Sequence, residues 1–181
     1  MSTEILTTVG QFSTADITLF EKYSTKKTLN KNDNLLKQGE ICRSVFYILS
    51  GSCYQYQGAE PTESIIDLHL EKEWMFNQDS LVGQSPSTTT IRAFTKSEIV
   101  AISLEQLHRL IAQSAAFLQF GSILNQASNR TQLFDNAFNP ARKYQYISNS
   151  RPLIAQVFPV KMIASYLKMA PETLSRVRAN Y

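Results

Sequence analysis

Pro159-Val-Lys-Met-Ile-Ala-Ser-Tyr-Leu-Lys-Met-Ala-Pro-Glu-Thr-Leu-Ser-Arg-Val-Arg-Ala-Asn-Tyr181 reads as two short helices that meet at a break. Ile163, Ala164 and Leu167 fall on one side of the first helix, at helical spacing. Lys168-Met169-Ala170 forms the turn, and Pro171 suits the opening of the second helix, where its fixed φ fits and its missing N–H has no partner to lose. Leu174 and Val177 then point inward, leaving Glu172, Thr173, Ser175, Arg176 and Arg178 outside. That outer row suits a DNA major groove: Arg pairs with guanine O6 and N7, Glu accepts from cytosine N4, and Ser or Thr serves bases or phosphates. The small Ala164 lets two helices cross steeply. The pattern is that of a helix-turn-helix, with double-stranded DNA as the expected partner and Lys161 and Lys168 as added contacts.

Charge points the same way. Of 18 basic and 15 acidic side chains, residues 142–181 hold seven basic (Arg142, Lys143, Arg151, Lys161, Lys168, Arg176, Arg178) and one acidic (Glu172), a net of +6. Residues 1–141 hold the other 11 and 14, a net of −3. A basic tail on an acidic body is the footprint of a polyanion binder. The 181 residues are 43% hydrophobic and 18% charged, enough for a packed core and unlike a chain disordered throughout. No run of about 18 apolar residues is present, so no membrane span is expected. Met1-Ser-Thr-Glu-Ile-Leu-Thr-Thr-Val-Gly10 lacks the basic start and apolar stretch of a signal peptide. Cys42 and Cys53 have no metal-ligand spacing and read as buried free thiols. A cytoplasmic location is expected, without metal or cofactor.

Upstream, residues 12–29 read as helical, with Phe12, Leu19 and Phe20 as the buried face and Ser13 with Asp16 as a helix start. From Thr28 to Ile102 the pattern turns to period two, broken by turns. Gly39-Glu40 closes one strand, and Val45-Phe-Tyr-Ile-Leu49 ends in Ser50-Gly51. Cys53–Tyr56, Ile65–Leu70, Thr88–Phe94 and Glu98–Ile102 follow. Strands about every ten residues imply an antiparallel roll or barrel. Helical periodicity returns from Leu104 to about Ala137. Within it Phe120, Leu124, Ala127, Thr131, Phe134 and Phe138 recur at steps of three and four, a short stripe suited to pairing two helices. The alternative is that the stripe packs on its own roll. Pairing has a rationale, since a dimer sets two recognition helices about one duplex turn apart.

This order of roll, long helix and basic helix pair, with Gln38-Gly39-Glu40, Val45-Phe-Tyr-Ile-Leu-Ser-Gly51, the segment Glu73–Ile102 and Ile163-Ala-Ser-Tyr-Leu…Pro171-Glu-Thr-Leu-Ser-Arg176, resembles the catabolite activator/fumarate–nitrate regulator (Crp/Fnr) family of bacterial transcription factors. The resemblance covers nearly the whole chain. It implies an α+β fold: a jelly-roll, cyclic-nucleotide-binding-like sensor domain (1–115), a long dimerisation helix (116–139) and a helix-turn-helix domain (140–181). Gly39 and Gly51 match the family's turn glycines, which need positive φ. DNA contacts map onto Pro171, Glu172, Thr173, Ser175 and Arg176; Pro171 replaces a residue that is often basic or polar. A homodimer is implied, with RNA polymerase a further partner.

The sensor half departs from the family's nucleotide binders, which place Gly-Glu and then Arg-Ser around the cyclic nucleotide. Those positions fall here on Phe76, Asn77, Ser87 and Thr88. Ser87 supplies no charge, and an Arg–phosphate contact is worth about 1.5–3 kcal/mol. Phe76 adds bulk where glycine admits the phosphate. Cyclic AMP is therefore not the expected effector; a different, more apolar or neutral molecule, or none, fits better. Two cysteines and two histidines (His69, His108) without ligand spacing do not build an iron–sulfur site. The histidines form no nucleophile–base arrangement, Glu71 and Glu73 read as a solvated face, and the six glycines form no phosphate-cradling loop, so no enzyme activity is expected. The competing reading is a signal-binding module acting through a protein or small molecule, with its helix-turn-helix vestigial.

Overall fold

The structure, a computed structural model, describes residues 1–59, 63–124 and 138–179. Eight strands carry the N-terminal part: β1 (Thr25–Leu29), β2 (Asn34–Leu36), β3 (Ser44–Ser50), β4 (Cys53–Gln57), β5 (Ser64–His69), β6 (Trp74–Met75), β7 (Thr90–Ala93) and β8 (Ser97–Ser103). They pair antiparallel in two four-stranded sheets, ordered β1-β8-β3-β6 and β2-β7-β4-β5. One core cluster draws on both sheets, with Val45, Ile48, Ile99 and Ile102 from the first and Leu36, Cys53, Ile91 and Ala93 from the second. This is a jelly-roll-like antiparallel sandwich. Gly39 and Gly51 sit at its turns with φ +89° each, as the family resemblance implies.

Helices cover the first sheet, so β3 is buried on both faces and reads as a continuous apolar run, not an alternating one. They are α1 (Ser2–Thr7), α2 (Thr14–Tyr23) and α4 (Leu104–Gln113), with a 3₁₀ turn at Ala115–Phe120; α3 (Gln78–Gly83) lies between β6 and β7. Ser13 and Asp16 close a reciprocal capping box at the start of α2.

Three expectations are corrected here. The helix read over 12–29 ends at Tyr23: Ser24 turns extended, and Thr25–Leu29 pairs along β8 from Thr25↔Ala101 to Leu29↔Ser97. Four of those five strand residues are exposed, so local periodicity carries no strand signal and the ladder with β8 decides. The helix read from Leu104 to Ala137 breaks at Ser114, whose extended backbone (φ −150°, ψ 122°) ends α4 and caps the 3₁₀ turn. Finally, Phe120 is not available to a second chain. It is 2% exposed in the roll's core, against Phe12, Phe20, Trp74 and Phe117. Leu124 packs on the same cluster. Phe120 and Leu124 thus pack on their own roll; Ala127, Thr131 and Phe134 lie outside the described residues.

The C-terminal part holds α5 (Pro140–Ser150), α6 (Ile154–Val157), α7 (Val160–Tyr166) and α8 (Pro171–Ala179). Its apolar side closes on the roll: Ile147, Ile154, Phe158, Ile163, Ala164, Leu167 and Leu174 share a second cluster with Tyr54, Tyr56, Ile65, Leu68 and Leu70. The tail therefore lies on β4 and β5. No helix among the described residues is long and apolar enough to cross a membrane.

Candidate nucleic-acid interface and effector pocket

Helix α8 is positioned by the turn before it. Lys168 takes a left-handed backbone (φ +56°), its N–H donating to Ser165 O at 3.1 Å and that of Met169 to Ala164 O at 3.0 Å. Together these bonds form a Schellman cap on α7. From α5, the ammonium of Lys143 adds a 3.1 Å bond to Leu167 O. Leu174, fully buried, anchors α8 beneath, while Glu172, Ser175, Arg176 and Arg178 are exposed and Thr173 half-buried. Glu172, Ser175 and Arg176 thus share an open face of one helix, with Arg178 exposed near its end. Lys161 is exposed on α7; Lys168 is exposed too, but its ammonium leans 3.5 Å from Ile65 O of β5.

The basic charge of the tail divides in two. Lys143, buried, and Arg151, half-buried, are both held in internal contacts, leaving five outward basic groups against Glu172, a net of +4.

The second site lies between β6 and β7. Asn77 caps α3, its side-chain oxygen accepting from Ser80 N at 2.8 Å while its amide donates to Thr89 Oγ1 at 2.7 Å. Gln55 Nε2, from β4, donates to the same Thr89 oxygen at 2.7 Å. Ser87 Oγ donates to Thr89 O at 2.7 Å. Gln55, Asn77, Ser87 and Thr89 are all under a tenth exposed and all neutral. This group satisfies its own hydrogen bonds and offers no cation to an anionic ligand.

Residues 26–114 match the family model of the cyclic nucleotide-binding domain. Among solved structures, FixK2 from Bradyrhizobium japonicum superposes with a TM-score of 0.65 at 13% identity, covering 87% of this chain and 83% of that one. A cyclic nucleotide-binding domain containing protein from Listeria monocytogenes EGD-e gives 0.67 at 17%, over 98% and 89%. The c-di-GMP responsive global regulator CLP of Xanthomonas campestris gives 0.61 at 14%, over 93% and 91%. FixK2 and CLP are Crp/Fnr-type regulators. The sequence matches none of the curated proteins.

Within the cyclic nucleotide-binding domain, the residues expected at the phosphate positions separate. Asn77 and Ser87 join the buried polar group, and Phe76 goes into the core at 5% exposure. Thr88 is exposed, and its neighbour Thr89 stands at the centre of the group. Both threonines lie in the bend just before β7, and it is Thr89 that turns inward to the Gln55 and Asn77 amides. Gln55 was also legible in principle: it is an amide on the inward side of the alternating Cys53–Tyr56 run. Both thiols are buried and free. Burial pushes the Cys42 thiol up and that of Cys53 up to about 12.

Glu73, read from the sequence as solvated, is instead a partner of Arg151. Phe138 is half-buried and lines an open groove of about 510 Å³ along α5 with Arg142, Gln145, Tyr146, Asn149 and Ser150. No set of three His, Cys, Asp or Glu side chains suited to a metal occurs among the described residues.

Proposed function

We propose that the chain is a sequence-specific DNA-binding regulator of the Crp/Fnr type, with α7, the Lys168 turn and α8 as its helix-turn-helix. The observation that carries this reading is the exposed row Glu172, Ser175 and Arg176 on a helix anchored from behind by Leu174. Arg176 is assigned to base readout, Glu172 to a cytosine amine, and Thr173, Ser175, Arg178 and Lys161 to bases or phosphates. Lys168 takes a lesser share, since its ammonium already faces β5. The chain acts as a cytoplasmic homodimer on a two-fold-related site. Its effector, if the polar group of Gln55, Asn77 and Thr89 takes one, is neutral: burying a phosphate there leaves its charge without a counter-ion.

Selection of genomic DNA fragments by the purified protein tests this, with Arg176→Ala in parallel. Enrichment of an inverted repeat, weakened by about 1–3 kcal/mol in the variant, is the expected result. Equal weakening on every sequence would make Arg176 a phosphate contact; no enrichment by the native chain would leave the signal-module reading in its place. The slope of affinity against salt counts the phosphates engaged.

A further inference from the structure

Arg151 follows α5 and reaches across to the roll, its side chain 10% exposed. All five of its N–H donors are used. Nε and Nη2 grip Glu73 as a fork, at 3.2 Å and 2.7 Å. Nη1 reaches Asp67 Oδ1 at 3.4 Å and Tyr166 Oη of α7 at 3.1 Å, and Nη2 also donates to Leu68 O. Burial opposes this charge, but Asp67 and Glu73 outweigh it and hold the guanidinium above its ordinary range. Two further bonds lie on the same strand: Ile65 N donates to Ser165 Oγ at 2.9 Å, and Lys168 Nζ donates to Ile65 O at 3.5 Å.

Apart from the Glu73 fork, which lies in the turn between β5 and β6, these contacts fall along β5, an edge strand of its sheet. The exposed polar groups of a sheet edge must be covered in some way, and here α7 does it. A purely apolar contact would hold the tail as firmly, because a buried ion pair gains little over well-packed hydrophobic groups, whereas losing one partner of the pair is severely destabilising. A charged contact is therefore one that a single local change can release. Such a change has a route from the polar group in the roll. Asp67 stands directly opposite Gln55 in the β4–β5 ladder, and Gln55 donates to Thr89. Cross-strand partners have side chains about 5 Å apart, so a ligand that recruits the Gln55 amide acts beside the carboxylate that holds Arg151.

We infer that Arg151, Asp67 and Glu73 form a releasable latch that holds the tail on β5 and so sets where α8 points. Its bearing on DNA rests on the helix-turn-helix reading; the latch itself does not. Two discrete arrangements, tail docked and tail free, are the bistable element through which a signal in the roll changes α8.

Hydrogen exchange of the full chain tests the latch. In Arg151→Met, amides of α7, α8 and β5 are expected to exchange about a hundredfold faster, with β3 and β8 unchanged. Asp67→Asn with Glu73→Gln, which keeps Arg151, is expected to do the same and covers the case in which Arg151→Met does not fold. An oxidised Ile65→Cys/Ser165→Cys pair, placed on the 2.9 Å contact, is expected to restore protection in the Arg151→Met background. Faster exchange in β3 and β8 together with the tail, no change in the tail, or no rescue by the disulfide would each overturn the proposal. The same proteins are titrated with a pool of genomic duplexes. Failure of all of them, native chain included, to bind DNA would defeat the regulator reading while the exchange result still decided the latch.

Discussion

Gly39 and Gly51 share a backbone angle and differ in surroundings, which makes them a matched pair. Both have φ +89°, so alanine at either position meets the left-handed penalty of about 1–2 kcal/mol, offset by about 0.4–1 kcal/mol from a less flexible unfolded chain. At Gly39 an added Cβ meets nothing within 4 Å, and Gly39→Ala is expected to cost about 1 kcal/mol. At Gly51 the same atom would lie 2.5 Å from Lys96 O and 2.8 Å from Ser97 Cα. Those are backbone atoms at the start of β8, and they give way only if the turn between β3 and β4 moves. Overpacking of this kind costs about 1–3 kcal/mol more, placing Gly51→Ala at about 2–4 kcal/mol in all. Urea unfolding of the two variants beside the native chain measures both losses, and equal m-values show that the midpoints compare like with like. Equal losses, or a larger one at Gly39, would refute the argument that the closeness of β8 to the β3–β4 turn is what demands glycine.

Cys53 gives a pH dependence of known sign. Its thiol ionises near 9.0 when exposed and near 12 when folded, so its contribution is whole below pH 9.0 and is lost as pH rises from there to about 12. Cys53→Ala should flatten the alkaline fall in stability, and an unchanged slope would show the thiol to be accessible. Millimolar cyclic AMP should leave the melting temperature where it is, since the Gln55–Asn77–Thr89 group offers no cation; a rise of several degrees would overturn that reading of the pocket. Phe134→Glu should yield monomers in light scattering if the stripe beyond Leu124 pairs two chains, and an intact dimer would move the interface elsewhere.

Much of the roll was legible because its signals are local. Val45–Leu49, Cys53–Tyr56 and Glu98–Ile102 are strands where the sequence places them, and Ser13 with Asp16 caps α2. The buried thiols followed from the same kind of reasoning, and the positive φ of the turn glycines from the family resemblance. What escaped depends on a distant partner. Thr25–Leu29 has no pattern of its own and becomes a strand only along β8. Phe120 belongs to an apparent dimer stripe until the break at Ser114 folds it onto Trp74. Glu73 looks solvated until Arg151, 78 residues later, reaches it.

The order of side chains alone determined the kind of molecule: an antiparallel roll or barrel of short strands, then a basic helical pair whose outer row of Glu172, Thr173, Ser175, Arg176 and Arg178 suits a major groove. Periodicity and turn chemistry act over a few residues, so a single sequence displays them. Only the tertiary structure decided which charges face outward and which hold the molecule together. Arg176 and Arg151 are alike in the sequence, yet one lies open on α8 and the other is buried among Asp67, Glu73 and the Leu68 carbonyl. The difference arises because a guanidinium enters a protein only where distant segments converge to supply its acceptors.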